Sequence, residues 1–576
     1  MHIILKYLKP YLLRMSGGLS VKFLGTVMDL LLPWILAYMI DHVVPRRSIS
    51  LILFWGAVMV GCSLLALVFN VTANRMSASV ARDATRGMRH DLFAKISLLS
   101  CAQIDRMTIP SLVARLSSDT YNIHRLISGM QRMGVRAPIL LLGGILITLT
   151  LDPMLTLVLV AILPFAFLVV ALVSRTGIPL YTKLQGAVDT MVRVVRENAS
   201  GIRIIKALSK ARYEKDRFAD ANKDVTDREW KANIIMGITN PAMFLFLNLG
   251  LVAVIIAGAY RVNSGQTRPG AILAFLTYFT IILNATLTVT RMFVMYSRGS
   301  ASGERIAEVL ALPEDLKIGE GSHVDNGYHI SFESVGFSYN ANPAQTRLLD
   351  GISFALKRGE TLGIIGETGC GKSTILQLLM RFYDVDSGII RINGDDIRGI
   401  PAQKLYRMFG IAMQKDVLFA DTIRENISFG RDLSDEDVRR ALCFAQAEHF
   451  VNDIAEGLDY NLNSRGTNLS GGQRQRLLIA RALAAKPDIL ILDDSSSALD
   501  YRTDADLRRS LKENFSNTTT IIVAQRISSV MQSDHIMVLE QGRILGYGTH
   551  EELIETCPLY REISLSQMGG EAINAG

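Results

Sequence analysis

The sequence predicts a chain in two parts: six membrane-spanning helices with long polar helical extensions, then an α/β domain built on a phosphate-binding loop. Three observations predict it. Hydrophobic residues make up 49% of the chain and charged residues only 20%, with a positive mean hydropathy of +0.26, a balance unusual for a soluble enzyme. Uncharged runs close to the roughly 20 residues that cross a bilayer recur through the first half. From about residue 328, short β-like runs (ISFESVGFSY, TLGIIG, ILILDD, TTIIVA) alternate with helical segments. A length of 576 residues also exceeds what one hydrophobic core serves.

The spans are expected near residues 19–40, 48–73, 130–151, 153–174, 232–260 and 269–290. The first is the least clean, because it carries Lys22, Asp29 and Pro33. Ahead of it, MHIILKYLKPYLLRMSGG has basic residues but no short apolar core ending in a small-residue cleavage site. It reads as an amphipathic lead-in lying on the membrane before an uncleaved span. The links after spans 1, 3 and 5 are short. The segments 74–136 and 175–231 are long and polar, with more arginine and lysine than acid. That asymmetry places them on the cytoplasmic side of the cytoplasmic membrane, with both termini. Few breakers interrupt them, so the spans are expected to run on as helices, joined by short transverse helices near 109–115 and 199–208. A membrane domain over 1–310, a Gly-rich linker over 311–327 and an α/β domain over 328–576 follow.

The net charge of +7 does not imply a nucleic-acid partner, since the basic residues flank apolar runs instead of forming one patch. Five cysteines make no C-x-x-C pair and are expected as isolated, reduced thiols. Cys370 stands apart because it lies inside the phosphate loop.

That loop is GETGCGKST: Gly366, Glu367, Thr368, Gly369, Cys370, Gly371, Lys372, Ser373 and Thr374. It follows a strand-like run and opens a helical one, the context that a phosphate loop requires. Its glycines let backbone N–H groups curl around phosphates, and the helix start adds its dipole. Lys372 offers a point charge to the β- and γ-phosphates, and Ser373 a hydroxyl to Mg2+. ATP and Mg2+ are therefore the expected ligands. Asp493, ending the apolar strand ILILD, is the expected magnesium carboxylate. Gln414, in IAMQKD, lies between the two motifs, where a neutral amide could touch both metal and water. LSGGQRQR opens a second helix with Ser470, Gly471, Gly472 and Gln473, another anion-facing start. Since the chain already has its phosphate loop, this second site is economical if it reaches a nucleotide held by another subunit. Tyr339, upstream of the loop, is a candidate to stack on adenine, with strand packing the simpler role.

Taken together, the phosphate loop, LSGGQ, ILILDD and SALD resemble the nucleotide-binding domain of an ABC transporter. The six spans ahead of them resemble the exporter type, in which one chain fuses membrane and ATPase domains. The resemblance implies a dimer with two ATP molecules sandwiched head to tail between P-loop and signature. It implies coupling helices at the transverse segments, and a nucleotide-facing role for Asp500 after SAL. Two positions depart from the family pattern: Asp494 stands where Glu is usual, and Gln525 where His is usual. Shortening the carboxylate by one methylene withdraws it about 1.5 Å, and a shift of that order can cost about a hundredfold in rate. Gln525 can donate to a γ-phosphate but cannot carry a positive charge. Ser464 also stands where such exporters often have Glu. With LSGGQ intact, the pattern resembles the degenerate-site subunit of bacterial heterodimeric multidrug exporters.

The expectation is thus one half of an ATP-driven exporter of amphipathic or hydrophobic compounds, surrounded by membrane lipids and paired with a second half-transporter. Catalysis is assigned to Asp494, Gln525 and Gln414. A lipid or peptide exporter, a homodimer and an ATP-gated sensor are the alternatives. In the spans, Lys22 and Asp29 are expected to serve packing or structural pairing, with a substrate contact the alternative. Asn240, Asn248 and Asn284 are placed to bond between helices. Met243, Phe244, Phe246, Tyr278 and Phe279 are candidates for a cavity, with core or lipid contact the simpler role for each.

Overall fold

The computed structural model describes residues 1–313, 316, 318–319, 321–339, 348–414, 416–495 and 497–568. The expected linker falls partly on residues 314, 315, 317 and 320, outside those described. The chain divides into two compact units: Met1–Ser97 with Ile109–Leu312, and Leu98–Thr108 with the chain from Pro313 onward.

In the first unit, six helices among the described residues are long and apolar enough to cross a membrane: His2–Arg46, Ile49–Ser97, Ile109–Leu151, Pro153–Ala207, Ala211–Asn263 and Pro269–Leu310. The fourth has 55 residues, about 80 Å at 1.5 Å per residue, so much of it lies beyond a bilayer core of about 30 Å. Its start is fixed chemically. Asp152 Oδ1 accepts from the backbone N–H of Met154 (2.9 Å) and Leu155 (3.2 Å), and Pro153 takes the first helical position. The other oxygen of Asp152 accepts from Arg261 at 2.9 Å, pinning the fifth helix to the same corner.

Small residues set the helix spacing. A side chain at Gly144 would place its Cβ 2.9 Å from Ile282, so glycine there lets the third and sixth helices close up. Tyr278 and Phe279 are buried in the core with Met243, whereas Phe244 is exposed. Tyr278 donates to the backbone of Leu30 at 2.5 Å. Asn248 and Asn284 donate to carbonyls of their own helices, contrary to the expected interhelix bonds, because the carbonyl four residues back lies within reach of an Asn amide. The bridging amides are instead Asn70 and Asn74. Lys22, 3% exposed, donates to both at 2.8 and 3.1 Å. Asn70 also donates to Asp29 (3.3 Å), and Arg136 pairs with the same carboxylate at 3.1 Å. Lys22 and Asp29 therefore serve helix packing through a shared asparagine.

Of the two expected transverse helices, one lies elsewhere and the other is not a separate helix. Residues 109–115 begin the third long helix, while the short helix is Cys101–Met107 and groups with the second unit. Ser100 caps it in a reciprocal box with Gln103, and Thr108 ends it at a positive φ of 62°. Residues 199–207 continue the fourth helix, and the chain turns at 208–210.

The second unit holds two sheets. The strands are β1 (Ile330–Phe337), β2 (Leu349–Leu356), β3 (Thr361–Gly366), β4 (Ser387–Ile392), β5 (Asp395–Asp396), β6 (Phe409–Ala412), β7 (Ile489–Asp493), β8 (Thr519–Val523), β9 (His535–Glu540) and β10 (Arg543–Gly548). An antiparallel sheet runs β2-β1-β4-β5 and a six-stranded sheet runs β10-β9-β3-β8-β7-β6. From β9 to β6 the second sheet is parallel. All five residues of β7 are buried, as expected for a strand covered on both faces.

Candidate nucleotide site

Parallel register assembles the site. Ala412 pairs with Leu492, and Asp493 pairs with Val523. Gln414, Asp494 and Gln525 thus each stand one or two residues past the aligned carboxyl ends of β6, β7 and β8. The loop after β3 leaves from the same edge, where open α/β sheets bind their ligands.

In that loop, Gly369 and Gly371 have φ of +88° and +106°, values that strain any residue with a Cβ. Gly371 caps the helix Lys372–Leu379. A Cβ on Gly371 would lie 2.6 Å from Leu349, so the cradle is closed to side chains. Lys372 Nζ donates to the carbonyls of Gly366 and Glu367, both at 2.7 Å. The thiol of Cys370 is buried, and burial pushes it up, with the Lys372 amine pulling the other way. It is therefore a packed thiol and not a reactive thiolate.

Ser373 Oγ donates to Asp493 Oδ2 at 3.0 Å. Burial, the largest cause, pushes the Asp493 carboxyl up, and the charge of Asp494 acts in the same direction. The Ser373 hydrogen bond and the Lys372 charge oppose them. No group of three His, Cys, Asp or Glu among the described residues could hold a metal by itself. A hydroxyl and one carboxylate fit Mg2+ that arrives on nucleotide phosphates.

Asp494 sits at a positive φ of 50°, with its N–H donating to Val523 O at 2.8 Å. Its Oδ2 accepts from both amides, Gln414 Nε2 at 3.1 Å and Gln525 Nε2 at 3.0 Å. One oxygen of the short carboxylate is thus held between two neutral donors.

Tyr339 is half exposed. Its hydroxyl donates to Gln377 Oε1 at 2.6 Å and lies 3.2 Å from Thr374 Oγ1. Its ring stands edge-on to Phe337 and Tyr383. Tyr383 in turn donates to Asp105 Oδ2 at 2.5 Å, which raises the phenol beyond its ordinary range, after burial. Sequence reasoning missed this pair. The S-x-x-Q pattern at Ser100 could have located the helix that carries Asp105.

The signature residues form a separate group. Ser470 accepts from Gln473 N at 3.2 Å, and Gln473 Oε1 accepts from Ser470 N at 3.0 Å, opening the helix Gly471–Leu483. A Cβ on Gly472 would lie 3.1 Å from Ala498 O, two residues before Asp500. Asp500 caps the next helix through Thr503, whose bonds hold its carboxyl below the usual range. No hydrogen bond joins Ser470 or Gln473 to the phosphate loop among the described residues. The chain thus carries two separate groups of motif residues, one of P-loop and strand ends, the other of signature and Asp500.

A P-loop site on a parallel sheet, fused to a six-helix membrane unit, defines an ATP-driven membrane transporter. Family comparison is specific: the model described as "ABC transporter transmembrane region" matches residues 15–286, and "ABC transporter" matches residues 349–497. The chain is 35% identical over 570 residues to the ABC transporter ATP-binding protein YfiB of Bacillus subtilis (strain 168), covering 98% of each. It is 29% identical to the fatty acid ABC transporter ATP-binding/permease protein of Mycobacterium bovis, over 87% of this chain and 79% of that one. A solved bacterial Atm1-family ABC exporter with ATP bound matches with a TM-score of 0.81 and 26% identity, over 97% of this chain and 99% of that one. The chain belongs to the ABC transporter family and has the exporter architecture. It is an ATP-hydrolysing, multi-pass membrane protein that uses ATP and Mg2+ and works as a dimer.

Proposed function

We propose that this chain is the ATP-retaining half of a heterodimeric exporter of amphipathic or hydrophobic compounds out of the cell across the cytoplasmic membrane. The observation that carries the reading is the clamp on Asp494. In a hydrolytic site this carboxylate must align an attacking water. Here the shorter side chain spends one oxygen on two amides, and Gln525 supplies no charge to the γ-phosphate. Lys372 and the loop N–H groups hold the phosphates, while Ser373 and Asp493 hold Mg2+, which neutralises phosphate charge when bound. Tyr339 stacks the base. Binding is therefore complete while water activation is weak. Ser470, Gly471, Gly472 and Asp500, apart from the P-loop of their own chain, complete the partner's site.

Purified alone, the chain should turn over ATP slowly, and addition of the partner half-transporter should raise turnover by roughly a hundredfold, the scale of a misplaced reacting group. Equal turnover by the lone chain would sink the reading. In the pair, Asp494→Glu alone should raise turnover only modestly, and Gln525→His should be needed for the rest. A large gain from the single change would show that Gln525 is not limiting.

A second reading of the cargo, lipid-like acids, has one support: the Mycobacterium bovis relative is named for fatty acid. Competition of fatty acids against structurally varied dyes in vesicles holding both subunits separates the two.

A further inference from the structure

The segment that carries Gln525 is held from a helix that contains none of the nucleotide motifs. Strand β8 ends at Val523, and a short helix, Ile527–Val530, begins two residues after Gln525. Gln525 lies in the bend between them, exposed and outside any strand or helix. A helix start leaves its first N–H groups without partners in the helix, and Arg526, at the cap position, supplies no side-chain acceptor.

Gln567, on the helix Pro558–Met568, meets the backbone on both sides of Arg526. Its Oε1 accepts from the N–H of Ile527 at 2.8 Å, and its Nε2 donates to the carbonyl of Gln525, also at 2.8 Å. Donor and acceptor of the amide each face their complement, so only one orientation of the group serves. The helix that carries it is itself anchored. Tyr560, seven residues earlier and on the same helical face, is fully buried and shares one core with Ile527 and Val530. Its hydroxyl lies 2.7 Å from His550 Nδ1.

On the other side the segment is tied to the helix Tyr501–Asn514. The Arg526 guanidinium lies 5.1 Å from the centre of the Tyr501 ring. Arg508 donates to the carbonyl of Ser528 and pairs with Asp504 at 3.1 Å. These contacts hold residues 526 and 528, whereas Gln567 reaches the backbone of Gln525 itself. The side-chain amide of Gln525 has two N–H groups. One donates to Asp494 at 3.0 Å, which leaves the second for a γ-phosphate. A backbone shift of about 1 Å at Gln525 would take both out of hydrogen-bonding range.

We propose that Gln567 is a positioning residue for the nucleotide site. It fixes the backbone of Gln525 so that the Gln525 amide spans Asp494 and the γ-phosphate, and it thereby sets the preference of this site for ATP over ADP. The inference rests on the reading of Gln525 as a γ-phosphate donor. It is independent of the cargo and of whether the partner is a second copy of this chain.

The test measures binding of the β,γ-imido analogue of ATP and of ADP, both with Mg2+, to the full chain in nanodiscs. Wild type, Gln525→Ala, Gln567→Leu and the double variant are compared. Gln525→Ala should lower the preference for the triphosphate roughly tenfold, the scale of one hydrogen bond to a charged group. Gln567→Leu should lower it severalfold with ADP affinity unchanged. It should cost nothing further in the Gln525→Ala background, because both changes act through one amide. Equal losses for the two nucleotides, or additive losses in the double variant, would mark a structural role and overturn the proposal. Gln567→Glu keeps an acceptor for Ile527 but, ionised at neutral pH, has no proton for the Gln525 carbonyl, so it should behave as Gln567→Leu. Wild-type preference in Gln567→Glu would show that the helix cap alone matters and would also overturn it. If Gln525→Ala keeps the wild-type preference, the γ-phosphate reading falls and the proposal with it. If Gln525→Ala loses the preference and Gln567→Leu keeps it, only the positioning role falls.

Discussion

Two neighbouring aspartates divide the work at the strand end. Asp493 is 4% exposed, and burial raises its pKa above the ordinary carboxylate value. The raised value means that the folded state favours the neutral acid. The resulting stability is present below the unfolded pKa and is lost as pH rises through the folded one. Magnesium needs the ionised form, so Mg2+-dependent ATP binding should fall on acidification at a higher pH than an unshifted carboxylate would cause. Nucleotide-binding titrations across pH, with Mg2+ and with chelator, measure this, and the difference between the two should vanish in Asp493→Asn. Lys372→Ala should weaken ATP binding at least tenfold, about 1.4 kcal/mol, because no other side chain in the loop carries its charge. That Ser373 and Asp493 would meet was legible in the sequence, since the phosphate-loop pattern fixes the first and an apolar strand ending in an acid marks the second. The clamp on Asp494 was not legible, since Gln414 is 80 residues away and Gln525 is 31.

At the scale of elements, the short helix Cys101–Met107 is the clearest revision. It interrupts the membrane unit in sequence yet groups with the ATPase unit, where Asp105 accepts from Tyr383 and Tyr383 stands edge-on to Tyr339. A path of side chains therefore runs from Tyr339, the residue proposed to stack on the base, to a helix joined at both ends to membrane helices. In the assembled transporter, Tyr383→Phe should leave ATP affinity nearly unchanged and cut substrate-stimulated turnover severalfold. The lost bond itself costs about 0.5–1.5 kcal/mol of stability, readable by thermal unfolding. Unchanged stimulation would remove the pair from the coupling path. Transverse helices were anticipated because polar loops with few breakers stay helical. Their positions were misjudged because a boundary turns on one cap, here Ser100 with Gln103, and on the positive φ of Thr108.

For the whole molecule, the proposed division of one chain into two half-sites makes the partner part of the chemistry. Ser470→Ala should cost the isolated chain only about 1 kcal/mol through its lost cap, but should suppress turnover of the complete pair, measured as ATP hydrolysis beside thermal stability. What the sequence by itself determined was the division into membrane and ATPase halves, the number of spans and the phosphate-loop chemistry. Each rests on composition or on local spacing, and a bilayer thickness or a phosphate imposes the same demand whatever the surrounding fold. Tertiary structure alone decided which amides reach Asp494 and which asparagine bridges Lys22 to Asp29. Those facts depend on strand register and helix packing between residues distant in the chain, and no local pattern encodes them.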